Sequence, residues 1–162
     1  MNEILKKSSI LFKNDQIMCA ISTLAKSCNE NFYEVEKKVT VLPVMKGAIP
    51  FAGHLIPKLN FELIIEYIHA TRYLQNKGTV NLQYIYEPPV ESIINKDILL
   101  LDDILDEGIT LLNLKSKLID LGANSVMTAV LFDKNLQKRK PLEADFVAVS
   151  YTHLTLPTKR IV

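Results

Sequence analysis

The sequence predicts an α/β fold, a parallel twisted sheet flanked by helices, on three observations. Short apolar, β-branched runs recur along the chain and alternate with segments of helical periodicity. The connections between them are short, as parallel units with helical crossovers require. The 162 residues, 48% hydrophobic and 23% charged, have ordinary globular usage. One domain takes ~100–200 residues, and this length buries roughly 70% of the unfolded surface without a disulfide or metal staple.

The elements follow in order. Asn14 is placed to cap a helix over residues 15–31, with Ile17, Ala20, Ile21 and Leu24 on its apolar face. Residues 39–44 read as a buried strand in spite of Pro43, and Lys46-Gly47 breaks it. Residues 48–59 read as a helix, with Pro50 tolerated in the first turn. Residues 63–68 form the next strand, and 71–78 are polar and loop-like. Val80, Leu82, Tyr84 and Tyr86 alternate along a half-buried strand that ends at Pro88-Pro89. An apolar strand over 97–101 runs into an acidic turn. The helix after it carries Leu111, Leu112, Leu114, Leu118 and Leu121, and stops at Gly122. Residues 126–132 and 145–149 complete the strands.

Charge and cysteines narrow the function classes. Nineteen Lys+Arg against eighteen Asp+Glu leave a net charge of +1, which excludes a whole-protein electrostatic grip on nucleic acid. Cys19 and Cys28 lie nine residues apart in one helix, too far for a disulfide within it, and read as reduced thiols. His54 and His69 have no metal-ligating partner at helical spacing. No apolar run reaches the ~18 residues of a membrane helix, and charged residues interrupt the N-terminal segment where a signal peptide needs an apolar core. A cytoplasmic location with no membrane partner is expected.

The chemistry gathers at residues 98–110. Ile98-Leu99-Leu100-Leu101 ends in Asp102-Asp103, then Ile104-Leu105-Asp106-Glu107-Gly108-Ile109-Thr110 opens a helix. In a parallel sheet, ligands bind beyond the carboxyl ends of strands. Gly108 permits unusual backbone geometry, and a helix N-terminus offers unpaired N–H groups to a phosphate. Acids that merely cap the helix account for one or two carboxylates. Four in six positions fit a ligand that carries both a phosphate and sugar hydroxyls, which carboxylates accept, with a divalent metal able to offset the charge.

Residues 98–110 resemble the phosphoribosyl pyrophosphate signature of the type I phosphoribosyltransferases, the bacterial hypoxanthine-guanine enzymes most. Val44-Met45-Lys46-Gly47-Ala48 resembles their pyrophosphate loop. Glu66 to Tyr73 resembles the approach to their mobile active-site loop, and Lys134 with Lys140-Pro141 and Asp145-Phe146-Val147 resembles their purine-reading segment. The resemblance implies the type I fold and purine salvage. A 5-phosphoribosyl group would pass from phosphoribosyl pyrophosphate to N9 of hypoxanthine or guanine, with Mg2+, in a homodimer or tetramer. Asp102 and Asp103 would meet the ribose hydroxyls and support magnesium through water. Asp106, Glu107, Gly108, Ile109 and Thr110 would cradle the 5′-phosphate. Asp106 would also be the general base facing the purine, and Lys46 and Gly47 would meet pyrophosphate. Lys134 would donate to the 6-oxo group and so disfavour adenine. Phe146 would stack on the base and Val147 would offer it backbone groups, while Arg72 and Tyr73 would lie on a closing loop. Taken without the resemblance, Lys134 is a solvated lysine and Phe146 a core aromatic.

The resemblance breaks off after Val149. The expected Pro-Asp pair, aromatic strand and Gly-rich turn do not follow, and His153 stands where the acid would be. Residues 1–149 are therefore expected to form the phosphoribosyltransferase domain, with an incomplete C-terminal hood, and 150–162 an atypical tail, read as foreign sequence with a genuine divergent end as the alternative. Two other readings compete: a non-catalytic sensor of phosphoribosyl pyrophosphate that regulates nucleotide synthesis, and a truncated, inactive enzyme. A xanthine-preferring transferase stays open within the first.

Overall fold

The computed structural model describes residues 11–35, 37–74, 80–134 and 140–151. Five parallel strands form the main sheet in the order β2-β1-β5-β6-β7, and two antiparallel strands, β3 and β4, form a separate hairpin. The strands are β1 (Val39–Pro43), β2 (Leu63–Ile65), β3 (His69–Leu74), β4 (Val80–Tyr86), β5 (Asp97–Leu105), β6 (Ser125–Lys134) and β7 (Phe146–Tyr151). Among the described residues three α-helices accompany them: α1 (Asn14–Asn31), α2 (Ile49–Leu55) and α3 (Ile109–Asp120). The expected α/β parallel sheet is the one observed.

Several boundaries shift for physical reasons. Lys13, not Asn14, caps α1, and its N–H donates to the Gln16 side chain at 2.8 Å. The helix expected over 48–59 ends at Leu55 and tightens into a 3-10 turn, Ile56–Lys58, because Pro57 has no N–H for another α-helical bond. Pro43 closes β1 where β2 has already ended, since the last β1–β2 pair is Val41 with Ile65. No ladder donor is lost there. The loop expected over 71–78 is strand as far as Leu74, held by pairs such as Arg72 with Leu82; residues 75–79 lie outside the described residues. Strand β7 runs to Tyr151, across the expected boundary at 149.

The sheet divides the apolar interior into two layers. Alternate residues of one strand face opposite sides. Val39, Val41, Leu99, Leu101 and Ala129 pack with Ile21 and Leu24 of α1 and Phe51 and Leu55 of α2. Leu42, Ile98, Leu100, Val126 and Val130 pack with Leu111, Leu114 and Leu118 of α3. Ala70, Leu82 and Tyr84 of the hairpin cover this second layer, on the covered face that the alternation predicts. One bridge, Val44 with Ile68, joins the hairpin's approach to β1.

The fold also sets where the acids emerge. Beyond Leu101, which pairs with Pro43, β5 has a ladder partner on one side only. It continues along β6 through Asp102–Val130, Ile104–Phe132 and Leu105–Asp133. Asp102 and Asp103 therefore lie on strand rather than in the expected turn, along an edge that β1 has vacated.

Candidate active site

The Lys46-Gly47 turn fills the space beyond the end of β1. The Met45–Lys46 peptide is cis. A Cβ placed on Gly47 would stand 2.6 Å from Asp103 Oδ2, so this turn and the Asp103 carboxylate are in direct contact and only glycine fits between them. Asp103 is held in turn, its Oδ1 accepting the Ile104 N–H at 2.9 Å. Asp102 Oδ1 accepts the Asp103 N–H at 2.9 Å. Both carboxylates are half-buried.

Beyond β5 the chain turns into α3 through Gly108, which has φ 78° and is buried. Two constraints require glycine there. Left-handed backbone disfavours a side chain, and a Cβ would meet Leu142 O at 3.2 Å. Asp102, Ile104, Leu105, Asp106, Gly108, Thr110 and Leu111 line one small recess in front of the helix N-terminus. That recess has the donors and the dipole that an oxyanion needs.

Lys134, at the end of β6, reaches across to Asp106, with Nζ 3.0 Å from Oδ1. Phe132 shares its face of β6 and packs edge-on against Tyr151 at 5.9 Å between ring centroids.

Most of the expected site residues converge on this end of the sheet. Lys46, Gly47, Asp102, Asp103, Asp106, Glu107, Gly108, Ile109, Thr110 and Lys134 all lie at or just beyond the carboxyl ends of β1, β5 and β6. Arg72 and Tyr73 belong to β3 rather than to a loop. Phe146 and Val147 do not join the group. Phe146 pairs with Ala129 in the middle of β6, five residues before Lys134, which is roughly 16 Å along the strand. It packs into the α1 layer, and Val147 faces outward. The cause is Asp145, whose carboxylate accepts both Thr128 N–H and Thr128 Oγ1–H at 2.8 Å and pins the start of β7 low on β6. His153 lies outside the described residues.

A concavity of about 740 Å3 lies elsewhere, at the opposite end of the sheet between Asn29 to Val35 and Asn60 to Glu62. Its charged residues are Glu30 and Glu62, which repel phosphate, so size does not mark the site here. Among the described residues no group of three or more His, Cys, Asp or Glu could hold a metal. No described helix is long and apolar enough to cross a membrane.

A family model, the phosphoribosyl transferase domain, matches residues 7–155. The chain belongs to this family. This phosphoribosyltransferase is 28% identical over 145 residues to the hypoxanthine-guanine phosphoribosyltransferase of Aquifex aeolicus (strain VF5), covering 88% of this chain and 79% of the relative. The hypoxanthine phosphoribosyltransferase of Trypanosoma cruzi, solved with its product IMP, superimposes with a TM-score of 0.78 at 26% identity, over 88% of this chain and 79% of that one. The Staphylococcus aureus hypoxanthine phosphoribosyltransferase shares the fold, with a TM-score of 0.81 at 24% identity over 93% and 82%. The family match spans the acids at the end of β5 and the glycine opening α3.

Sequence reasoning missed Asp133 at this end, and named Lys140 without its partners. Asp133 and Lys140 form an ion pair, and Lys140 also donates to Leu105 O at 2.8 Å. A run of basic residues over 134–140 carried the signal, but its default reading is a solvated turn.

Proposed function

We propose that this phosphoribosyltransferase transfers the 5-phosphoribosyl group of phosphoribosyl pyrophosphate to N9 of hypoxanthine or guanine, giving IMP or GMP and pyrophosphate. The observation that carries the reading is the Asp106–Lys134 pair at 3.0 Å, side by side with the phosphate recess. A purine on a 5-phosphoribosyl group at the recess meets an acceptor and a cationic donor together.

The chain's own groups divide the work. The N–H groups opening α3 hold the 5′-phosphate, and Asp102 and Asp103 accept hydrogen bonds from the ribose hydroxyls. Lys46 and the Gly47 turn meet the pyrophosphate. The C1′–N9 bond forms as the C1′–O bond breaks, and pyrophosphate leaves with the bonding electron pair. The proton on the imidazole ring of the base passes to the Asp106 carboxylate, which also offsets positive charge developing at C1′. Lys134 donates to O6; adenine presents an amino group there and cannot accept, which sets the preference.

The donor set fits magnesium. That ion keeps several waters and binds through one or two carboxylates plus substrate phosphates, and Asp103 stands beside the Gly47 turn while Asp102 lines the phosphate recess. When bound, it would neutralise charge on the departing pyrophosphate.

The test is pyrophosphate release by this chain with phosphoribosyl pyrophosphate, magnesium and each of hypoxanthine, guanine, xanthine and adenine. Release with the 6-oxopurines and not with adenine is expected. Equal release with adenine would remove Lys134 from base selection, and no release from a folded sample would favour a sensor of phosphoribosyl pyrophosphate.

A further inference from the structure

Lys140 is a lysine in an unusual place. Its side chain is 9% exposed, and its partner Asp133 is 25% exposed. Burying an ammonium is costly unless it is paired and hydrogen-bonded. Lys140 has both: it pairs with Asp133 Oδ1 and donates to Leu105 O at 2.8 Å.

The two partners are not arbitrary. Leu105 and Asp133 face each other as the last β5–β6 pair. Each immediately precedes one member of the base-side pair, Leu105 before Asp106 and Asp133 before Lys134. Successive strand residues point to opposite faces, so Lys140 grips the ladder end from the side away from Lys134. Two residues on, buried Leu142 sets its backbone against Gly108. Residues 140–142 therefore touch the turn from β5 to α3 at both Leu105 and Gly108.

Peptide geometry gives the grip a consequence. Leu105 C=O and Asp106 N–H share one planar trans unit and point in opposite directions. An ammonium on the carbonyl fixes the tilt of that plane and polarises the N–H, strengthening it as a donor. The Asp106 carboxylate moves with the same unit.

We propose that Lys140 is a positioning residue for phosphoribosyl transfer: by tying Leu105 O to Asp133 it sets the spacing of Asp106 and Lys134 across the purine position and aims the Asp106 amide at the phosphate recess. This rests on the transferase reading above.

The test compares K140M, D133N and K140M/D133N with the unsubstituted chain. K140M strands a half-buried carboxylate, so its Tm falls. The double variant removes both charges and regains most of the Tm. Positioning predicts that kcat with the 6-oxopurine nonetheless stays down by on the order of 10²-fold in the double variant, with the KM for phosphoribosyl pyrophosphate changed less. Recovery of both Tm and kcat would reduce Lys140 to a counterion of Asp133 and overturn the proposal. If the unsubstituted chain turns over no base, the transferase reading fails by itself. The Asp106 amide resonance in 15N-labelled protein then decides: a clear shift in K140M/D133N relative to the unsubstituted chain is expected, and an unmoved resonance overturns the positioning.

Discussion

Asp106 combines two positions at one carboxylate: it opens the turn from β5 into α3 and it faces Lys134. Asp106→Asn keeps the shape and removes the proton acceptor. Turnover should fall ~10²–10⁴-fold, with the Kd for phosphoribosyl pyrophosphate changed little; an unchanged turnover would end its role as base. Gly47 makes a different prediction. The methyl of Gly47→Ala would meet the Asp103 carboxylate and turn it away from the ribose, so the KM for phosphoribosyl pyrophosphate should rise several-fold while Tm stays close to wild type, because the turn is exposed. Cys28 gives a pH signature. Burial pushes its thiol from the ordinary 9.0 up to about 12. Between those values the folded chain binds the extra proton, so its stabilisation is full below pH 9 and declines as pH rises toward 12. Urea midpoints at pH 8 and pH 10.5 should separate more in the wild type than in Cys28→Ala; equal separations would show that the thiol contributes nothing. At this scale the sequence made the acids and Gly108 legible because they follow an apolar run without interruption. It could not place Phe146, because an Asp-aromatic pair looks the same at either end of a strand, and the Asp145–Thr128 bonds set it beside Ala129.

At the scale of elements, the hairpin behaves as a part with its own attachment. It shares no ladder with the main sheet and docks through Ala70, Leu82 and Tyr84. Lys117 of α3 adds a clamp, lying 3.6 Å over the Tyr84 ring and pairing with Glu87. Such contacts are worth roughly 0.5–1 kcal/mol each. Lys117→Ala should therefore speed hydrogen exchange across β3 and β4 by a few-fold and leave β5 and β6 unchanged. Uniform exchange in the two proteins would mean that the apolar contacts alone hold the hairpin. The strands of the main sheet were legible from apolar runs. The hairpin's first strand was not, because residues 71–74 are mostly polar and become strand only by pairing with β4. Local pattern carries no information about a partner ten residues away.

The whole molecule rests on β5, which is buried on both faces from Ile98 to Leu101. Leu100→Ala would open a cavity in the α3 layer at a cost of ~2–5 kcal/mol, a Tm loss on the order of 10 °C for a chain of this length. A loss of only a degree or two would mean that the α3 layer collapses around the gap. The α/β class was legible because it depends on alternation repeated along the chain, which survives errors at single boundaries.

The strand order has a consequence for synthesis. Strand β1 can pair early with β2, but β5, which bears the acids, needs β1 on one side and β6 on the other. Ribosomes add ~5–20 residues each second, so for several seconds β1 offers a bare, apolar flank while β5 and β6 emerge. During that interval the nascent chain is open to pairing with strangers. Slowing translation between β1 and β5 lengthens that interval and should lower the soluble yield, whereas slowing it before β1 should not.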